Sequence, residues 1–215
     1  MADNYLEKRY EEVFGGAGNA SGAKYVKRGR SLDELLLASR SYRGYDKGYV
    51  VARRQLETIA SVNTRIPSAK NKQTLRFKLV CREDGADKVF AAVRFGGISK
   101  DFPLPVPGTE PEAFIVVCTT GEETASVDID LGISLQSMML KAVEIGLNGI
   151  ILRMIDREAL KRDLGLQYEP VAVCAFGKGI EHIELKPVAE GESLHYYREN
   201  GTHFVPKLTM KDLII

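Results

Sequence analysis

The chain has no tryptophan, only three cysteines and three histidines, and no apolar stretch long enough to span a bilayer. Each scarcity excludes something. Cys81, Cys118 and Cys174 stand singly inside apolar runs, with no close pair at metal-ligand spacing, so a zinc module and a disulfide framework are both disfavoured. Buried, reduced thiols of a cytoplasmic protein are expected instead. His182, His195 and His203 all fall in the C-terminal region without metal spacing, which leaves them a surface or tail role. Charge of one sign is lacking too. With 30 Lys and Arg against 29 Asp and Glu, no global field draws the chain towards nucleic acid or an anionic membrane. The N-terminal segment MADNYLEKRYEEVF is charged throughout and has no apolar signal core, in keeping with a cytoplasmic location.

What is present suffices for one sizeable core: 215 residues, read as a leader over 1–30 and a single domain over 31–215. Tyr5, Leu6, Tyr10, Val13 and Phe14 recur at helical spacing before the glycine-rich stretch from Gly15 to Gly22. That stretch is a connector, not a phosphate loop, because it follows a helix and Lys24 is followed by Tyr25 where Ser or Thr is needed. The basic run from Lys24 to Arg30 reads as a solvated loop. Ser31 and Glu34 form a capping box for a helix carrying Leu32, Leu35, Leu36 and Ala38. A second helix is predicted from about Val51 to Val62, and LRFKLVC, KVFAAVRF and AFIVVCT have strand character. Leu131, Leu135, Met138, Met139 and Ala142 mark the longest and most apolar helix, hence a central one with core methionines. IILRM follows as a strand, a short helix opens at Asp156 and ends near Gly165, and VAVCAF is a last core strand. Too few strands alternate with helices for a doubly wound sheet. An α+β sandwich with a small mixed or antiparallel sheet flanked by helices is expected.

Two segments carry the chemistry. In Ser39-Arg40-Ser41-Tyr42-Arg43 two arginines flank a serine, and forked guanidinium donors around a hydroxyl suit a phosphate group. Further on, Pro67 fixes its own backbone and biases Ile66 towards an extended form, while Ser68, Asn71 and Gln73 are free to bond polar ring edges. Flavin mononucleotide (FMN) has both a phosphate tail and a ring rich in donors and acceptors.

With these two segments the chain resembles the nitroreductase family of FMN-dependent enzymes, which share an Arg-x-Ser-x-Arg segment followed by Pro-Ser-x-x-Asn-x-Gln. A third match lies at Asp130-Leu131-Gly132, Gln136, Leu140, Ala142 and Gly146-Leu147, similar to the family's long helix and the turn after it. The resemblance runs from roughly Leu35 to Gly179. It implies an interlocked homodimer, embraced by the tail from Glu181 onward, in which each FMN is held by both chains. Arg40, Ser41 and Arg43 of one subunit would grip the phosphate and ribityl hydroxyls, and Pro67, Ser68, Ala69, Asn71 and Gln73 of the other would lie along or near the ring.

Leu152, Arg153 and Met154 resemble the strand end that passes the reactive side of the flavin, where a backbone N–H faces the ring. The family usually has small residues where Arg153 and Met154 stand. Either their side chains point away, or they narrow the pocket and make it more basic. Lys207 matches a C-terminal basic position near the phosphate, with Leu208 where relatives often carry arginine. The resemblance further implies ping-pong transfer of electrons from NAD(P)H through FMN to a nitroaromatic, quinone or related acceptor. The competing expectation is a flavin-binding protein that stores, senses or remodels FMN without nicotinamide turnover.

Overall fold

A computed structural model of the chain describes residues 29–96 and 104–215. The leader helix, the glycine-rich connector and residues 24–28 of the basic run lie outside the described residues. Helix α1 (Leu32–Ala38) opens with the predicted capping box, Ser31 and Glu34 satisfying each other's backbone N–H. Helix α2 (Arg53–Ala60) buries Leu56 and Ile59 and tightens into a 3-10 turn at Ser61–Thr64, so the predicted second helix is present.

Strands β1 (Leu75–Val80), β2 (Ala113–Thr119), β3 (Asn148–Leu152) and β4 (Glu169–Gly177) form an antiparallel sheet in the order β1-β2-β4-β3. Every residue of β2 is buried. Its continuous apolar run has a simple cause: helices cover both faces of the sheet, so neither set of alternating side chains meets water. Ile115, Val117, Cys174 and Phe176 pack with Leu56, Ile59 and the central helix α4 (Ala125–Glu144) on one face. Phe114, Val116, Val173 and Ala175 pack with Val89 and Leu160 on the other. Met138 and Met139 lie in the first of these cores, as expected.

The segment KVFAAVRF departs from its strand prediction: Ala86–Ala91 forms helix α3. Its Val and Phe content matched strand preference, yet Ala86, Val89, Phe90 and Val93 recur at i, i+3, i+4 and i+7, and that periodicity wins once Ala86, Val89 and Val93 can be buried against the sheet. Helix α5 (Arg157–Leu164) starts at an Asp156 cap and ends at Gly165, which takes the left-handed conformation at φ +61°.

The tail has a sheet of its own. Strands β5 (His182–Val188), β6 (Tyr197–Glu199) and β7 (Thr202–Leu208) lie in the order β5-β7-β6, β5 parallel and β6 antiparallel to β7. Helix α6 (Met210–Leu213) closes the chain's described structure. Among the described residues no helix is long and apolar enough to cross a membrane.

Candidate functional site

The loop carrying Arg40, Ser41 and Arg43 is pinned to the free edge of the central sheet. Ser41 forms a parallel bridge with Gly149 of β3, and the Tyr42 N–H donates to the Gly149 carbonyl at 3.0 Å. Glycine is required where the loop and sheet meet: a Cβ on Gly149 would lie 2.7 Å from the Ala175 carbonyl, and one on Gly179 would lie 2.2 Å from the Tyr42 ring. The Tyr45 hydroxyl donates to the Tyr42 carbonyl at 2.8 Å and braces the turn from within.

This loop forms one wall of a cavity of about 780 Å³, and the tail forms much of the other. Arg40, Ser41, Arg43 and Lys207 all line it, so the three residues of the phosphate-type cluster and the distant C-terminal lysine are brought together. None of the described residues lining it is acidic. Arg43 is buried; its Nε donates to the Gly96 carbonyl at 3.0 Å and its Nη1 to the Ser41 carbonyl at 3.1 Å, while its guanidinium stands 5.8 Å from the centre of the Tyr196 ring. Arg40 donates to the Leu36 carbonyl, and its Nε is buried without a partner among the described residues. Burial pulls the Arg40 guanidinium below its ordinary pKa, the direction expected of a cation short of compensation. An orphaned guanidinium donor beside a buried arginine and a lysine fits a phosphate.

His203, on the tail strand β7, also lines this cavity, so of the surface or tail roles expected of the histidines it takes the tail one and is not a surface residue. His182 and His195 are exposed, but His203 is only 3% exposed and its Nδ1 has no partner among the described residues. Burial first, then the charges of Arg198 and Arg43, depress its pKa and keep the ring neutral near pH 7. The signal that could have located it is its place on β7, two residues from Val205, which lines the same cavity.

The second segment lines a different cavity, of about 340 Å³. Pro67, Ser68 and Gln73 face it together with Asn63, Asp130 and Ser134. Asp130, buried on α4, accepts the Ala69 N–H at 2.8 Å and so ties the loop to the central helix. The Gln73 amide donates to Asn71 Oδ1 at 2.9 Å, and the Gln73 N–H to Ser68 Oγ at 3.3 Å. Lys70, Asn71 and Gln73 all have positive φ, near +50°. Three such residues in one short loop are an uncommon backbone arrangement, and the Asp130 bond at Ala69 anchors the loop at its start. Asp130 was legible only as part of a helix; its anchoring contact spans 61 residues of sequence.

Leu152 is buried in the core, and Arg153 and Met154 are exposed. Arg153 reaches the carboxylates of Asp128 at 3.6 Å and Glu123 at 4.0 Å, an ion pairing near the start of α4. Neither Arg153 nor Met154 lines either cavity. The three cysteines are buried and free, with burial pushing the thiols of Cys118 and Cys174 up to about 11 and about 12.

Comparisons with known proteins agree with the fold. The chain is similar to a nitroreductase family protein from Clostridium difficile 630, at 22% identity and a TM-score of 0.55 over 71% of this chain and 86% of that one. It is similar to a protein from Desulfovibrio desulfuricans solved in complex with FMN, at 21% identity and a TM-score of 0.58 over 72% of this chain and 89% of that one. A variant of an FMN- and NADPH-dependent nitroreductase from Sphingopyxis sp. strain HMH matches at 20% identity and a TM-score of 0.56 over 70% of this chain and 89% of that one. No curated protein matches the chain. A model of the nitroreductase family matches residues 36–178, more than half of the chain, and the chain belongs to the nitroreductase family.

Proposed function

We propose that the protein is an FMN-dependent oxidoreductase that takes electrons from NAD(P)H and delivers them to nitroaromatic, quinone or related acceptors in alternating half-reactions. The observation that carries this reading is the cavity in which Arg40, Ser41, Arg43 and Lys207 converge with no carboxylate among the described residues that line it. Those cations would hold the phosphate, with Arg43 already buried and oriented by its bonds to Gly96 and Ser41. Pro67, Ser68, Ala69, Asn71 and Gln73 would lie along the ring, and backbone N–H groups near Leu152, Arg153 and Met154 would donate to it. FMN, when bound, supplies the hydride acceptor and the electron store.

Arg40, Ser41, Arg43 and Lys207 line one cavity of the chain and Pro67, Ser68 and Gln73 another, with Ala69 and Asn71 in the same loop but outside its lining. This supports a homodimer in which each site takes its phosphate end from one subunit and its ring end from the other. The exposed Leu32, Leu36 and Leu37 of α1, with Ile129 of α4, offer apolar surface for such a partner. Buried, reduced cysteines support a cytoplasmic setting.

Arg153 turns towards Asp128 and Glu123, which supports an open ring face over one closed by its side chain. Turnover is therefore favoured over flavin storage. The test is stopped-flow reduction of the flavin-loaded protein by NADH and by NADPH, followed by reoxidation with a quinone. Bleaching with either nucleotide is expected, and Arg153→Gly should change its rate little. No bleaching with either would overturn the oxidoreductase reading.

A further inference from the structure

Glu181 stands between the central sheet and the tail, outside both cavities' walls. Its side chain is only 7% exposed. One carboxylate oxygen accepts the backbone N–H of Arg43 and, at 3.1 Å, that of Gly44; the other accepts from the Arg198 guanidinium on β6. Three charge-assisted bonds thus converge on one buried carboxylate, joining the loop that carries Arg40, Ser41 and Arg43 to the tail that carries Tyr196, His203 and Lys207.

The choice of donors matters. A buried arginine ordinarily needs a carboxylate, and the usual forked pair would occupy the donors a phosphate must use. Glu181 instead bonds the main chain of Arg43 and leaves the Arg43 guanidinium to Gly96, Ser41 and the cavity. Glu181 thus holds the Arg43 main chain without competing for the guanidinium's ligand-facing donors. The influence of its charge extends to the Tyr42 and Tyr45 phenols, which burial first and Glu181 second push above their ordinary values.

We infer that Glu181 is a positioning residue for phosphate recognition: it sets the backbone of the Arg40–Arg43 loop and clasps the tail over it, so that the cavity binds the phosphate-bearing flavin in preference to the same flavin without phosphate. The inference rests on the proposed FMN site. Titrate wild type, Glu181→Ala and Glu181→Gln with FMN and with riboflavin, and measure amide exchange over residues 40–45. Glu181→Ala should weaken FMN about tenfold and speed exchange at Arg43 and Gly44, with riboflavin affinity nearly unchanged. Glu181→Gln retains a carbonyl acceptor for the two N–H groups and should lose only about two- to threefold for FMN, again with riboflavin unchanged.

Equal losses for both flavins, or a glutamine variant no better than alanine, would reduce Glu181 to a general fold residue and overturn the inference, as would unaltered FMN affinity. If the alanine variant does not fold, the glutamine variant's loss for FMN against riboflavin decides alone. If wild type binds neither flavin, the flavin reading fails separately, and inorganic phosphate becomes the probe. Protection of the 40–45 amides by phosphate in wild type, diminished in Glu181→Gln, would sustain the role of Glu181; no protection in wild type would end it.

Discussion

The cavity around Arg40 and Arg43 gathers three cations that no described acidic residue in its wall offsets, whereas the cavity beside Pro67 gathers amides, hydroxyls and the buried carboxylate of Asp130. Even Arg76, which lines the second, spends its guanidinium on the carbonyls of Gln73 and Leu75. The two also differ in how they are held. The arginine loop depends on partners far away in sequence, Gly149 and Glu181, while the Pro67 loop is braced largely by its own side chains and one bond to α4. One is suited to a compact anion and the other to a flat polar edge, so ligands with and without a phosphate should separate them.

The largest effect is expected at Arg43. Arg43→Ala should weaken FMN by about 2 to 4 kcal/mol, the scale of removing one buried charge-assisted contact, and Arg40→Ala should fall in the same range. Riboflavin should be affected far less by either. A calorimetric or fluorescence titration checks both, and equal losses for the two flavins would mean that the cations serve the fold and not the phosphate.

Asp130→Ala probes the other cavity and should cost about 1 to 3 kcal/mol, because the Ala69 N–H loses its acceptor and the positive-φ backbone around Lys70 and Asn71 loses its anchor. Here FMN and riboflavin should weaken together. Denaturant midpoints measured without flavin, beside the two titrations, separate loss of the loop from loss of the fold.

How much of this contrast could be read from the sequence depends on distance along the chain. The capping box of α1 and the cap of α5 at Asp156 are local, and they stand where the residues predict. The apolar runs of β2 and β4 announce a doubly covered sheet, because burial on both faces leaves no polar alternation. In KVFAAVRF composition and periodicity disagree over a short window, and the helix over Ala86–Ala91 overrides the strand expectation. The arginine cluster and the polar loop were visible as chemistry. Lys207 joins the first as the family resemblance implies, whereas Asp130 anchoring the second and Glu181 holding the Arg43 backbone 138 residues away depend on tertiary packing, to which no local pattern has access.

Lys207→Ala tests the tail's share of the arginine cavity. Lys207 is an exposed point charge on a flexible stem, so its loss should cost FMN about 1 kcal/mol, less than either arginine. The deficit should shrink further as ionic strength rises, while the Arg43→Ala deficit persists. Titration at two salt concentrations distinguishes them; a Lys207→Ala loss as large as that of Arg43→Ala, and insensitive to salt, would place the lysine in a drier contact than its exposure implies.

The smallest effect is a pH slope at His203. Its folded pKa lies below the ordinary value of 6.5, chiefly through burial and then through Arg198 and Arg43, with Glu181 acting in the opposite direction. The unfolded chain therefore takes up a proton at His203 before the folded chain does, and stability should fall as pH drops below about 6.5 towards the folded pKa. His203→Phe removes that proton, so the difference between wild type and variant isolates the slope from the titration of the carboxylates. Melting temperatures of the flavin-free proteins between pH 7.5 and 5.5 should converge or cross as the pH falls, wild type losing ground to the variant. A phosphate held by Arg40 and Arg43 would stabilise the imidazolium and raise its pKa, so FMN should flatten the difference and riboflavin should not. If riboflavin flattens it equally, the flattening does not come from the phosphate, and the division of labour between the two cavities fails at this wall.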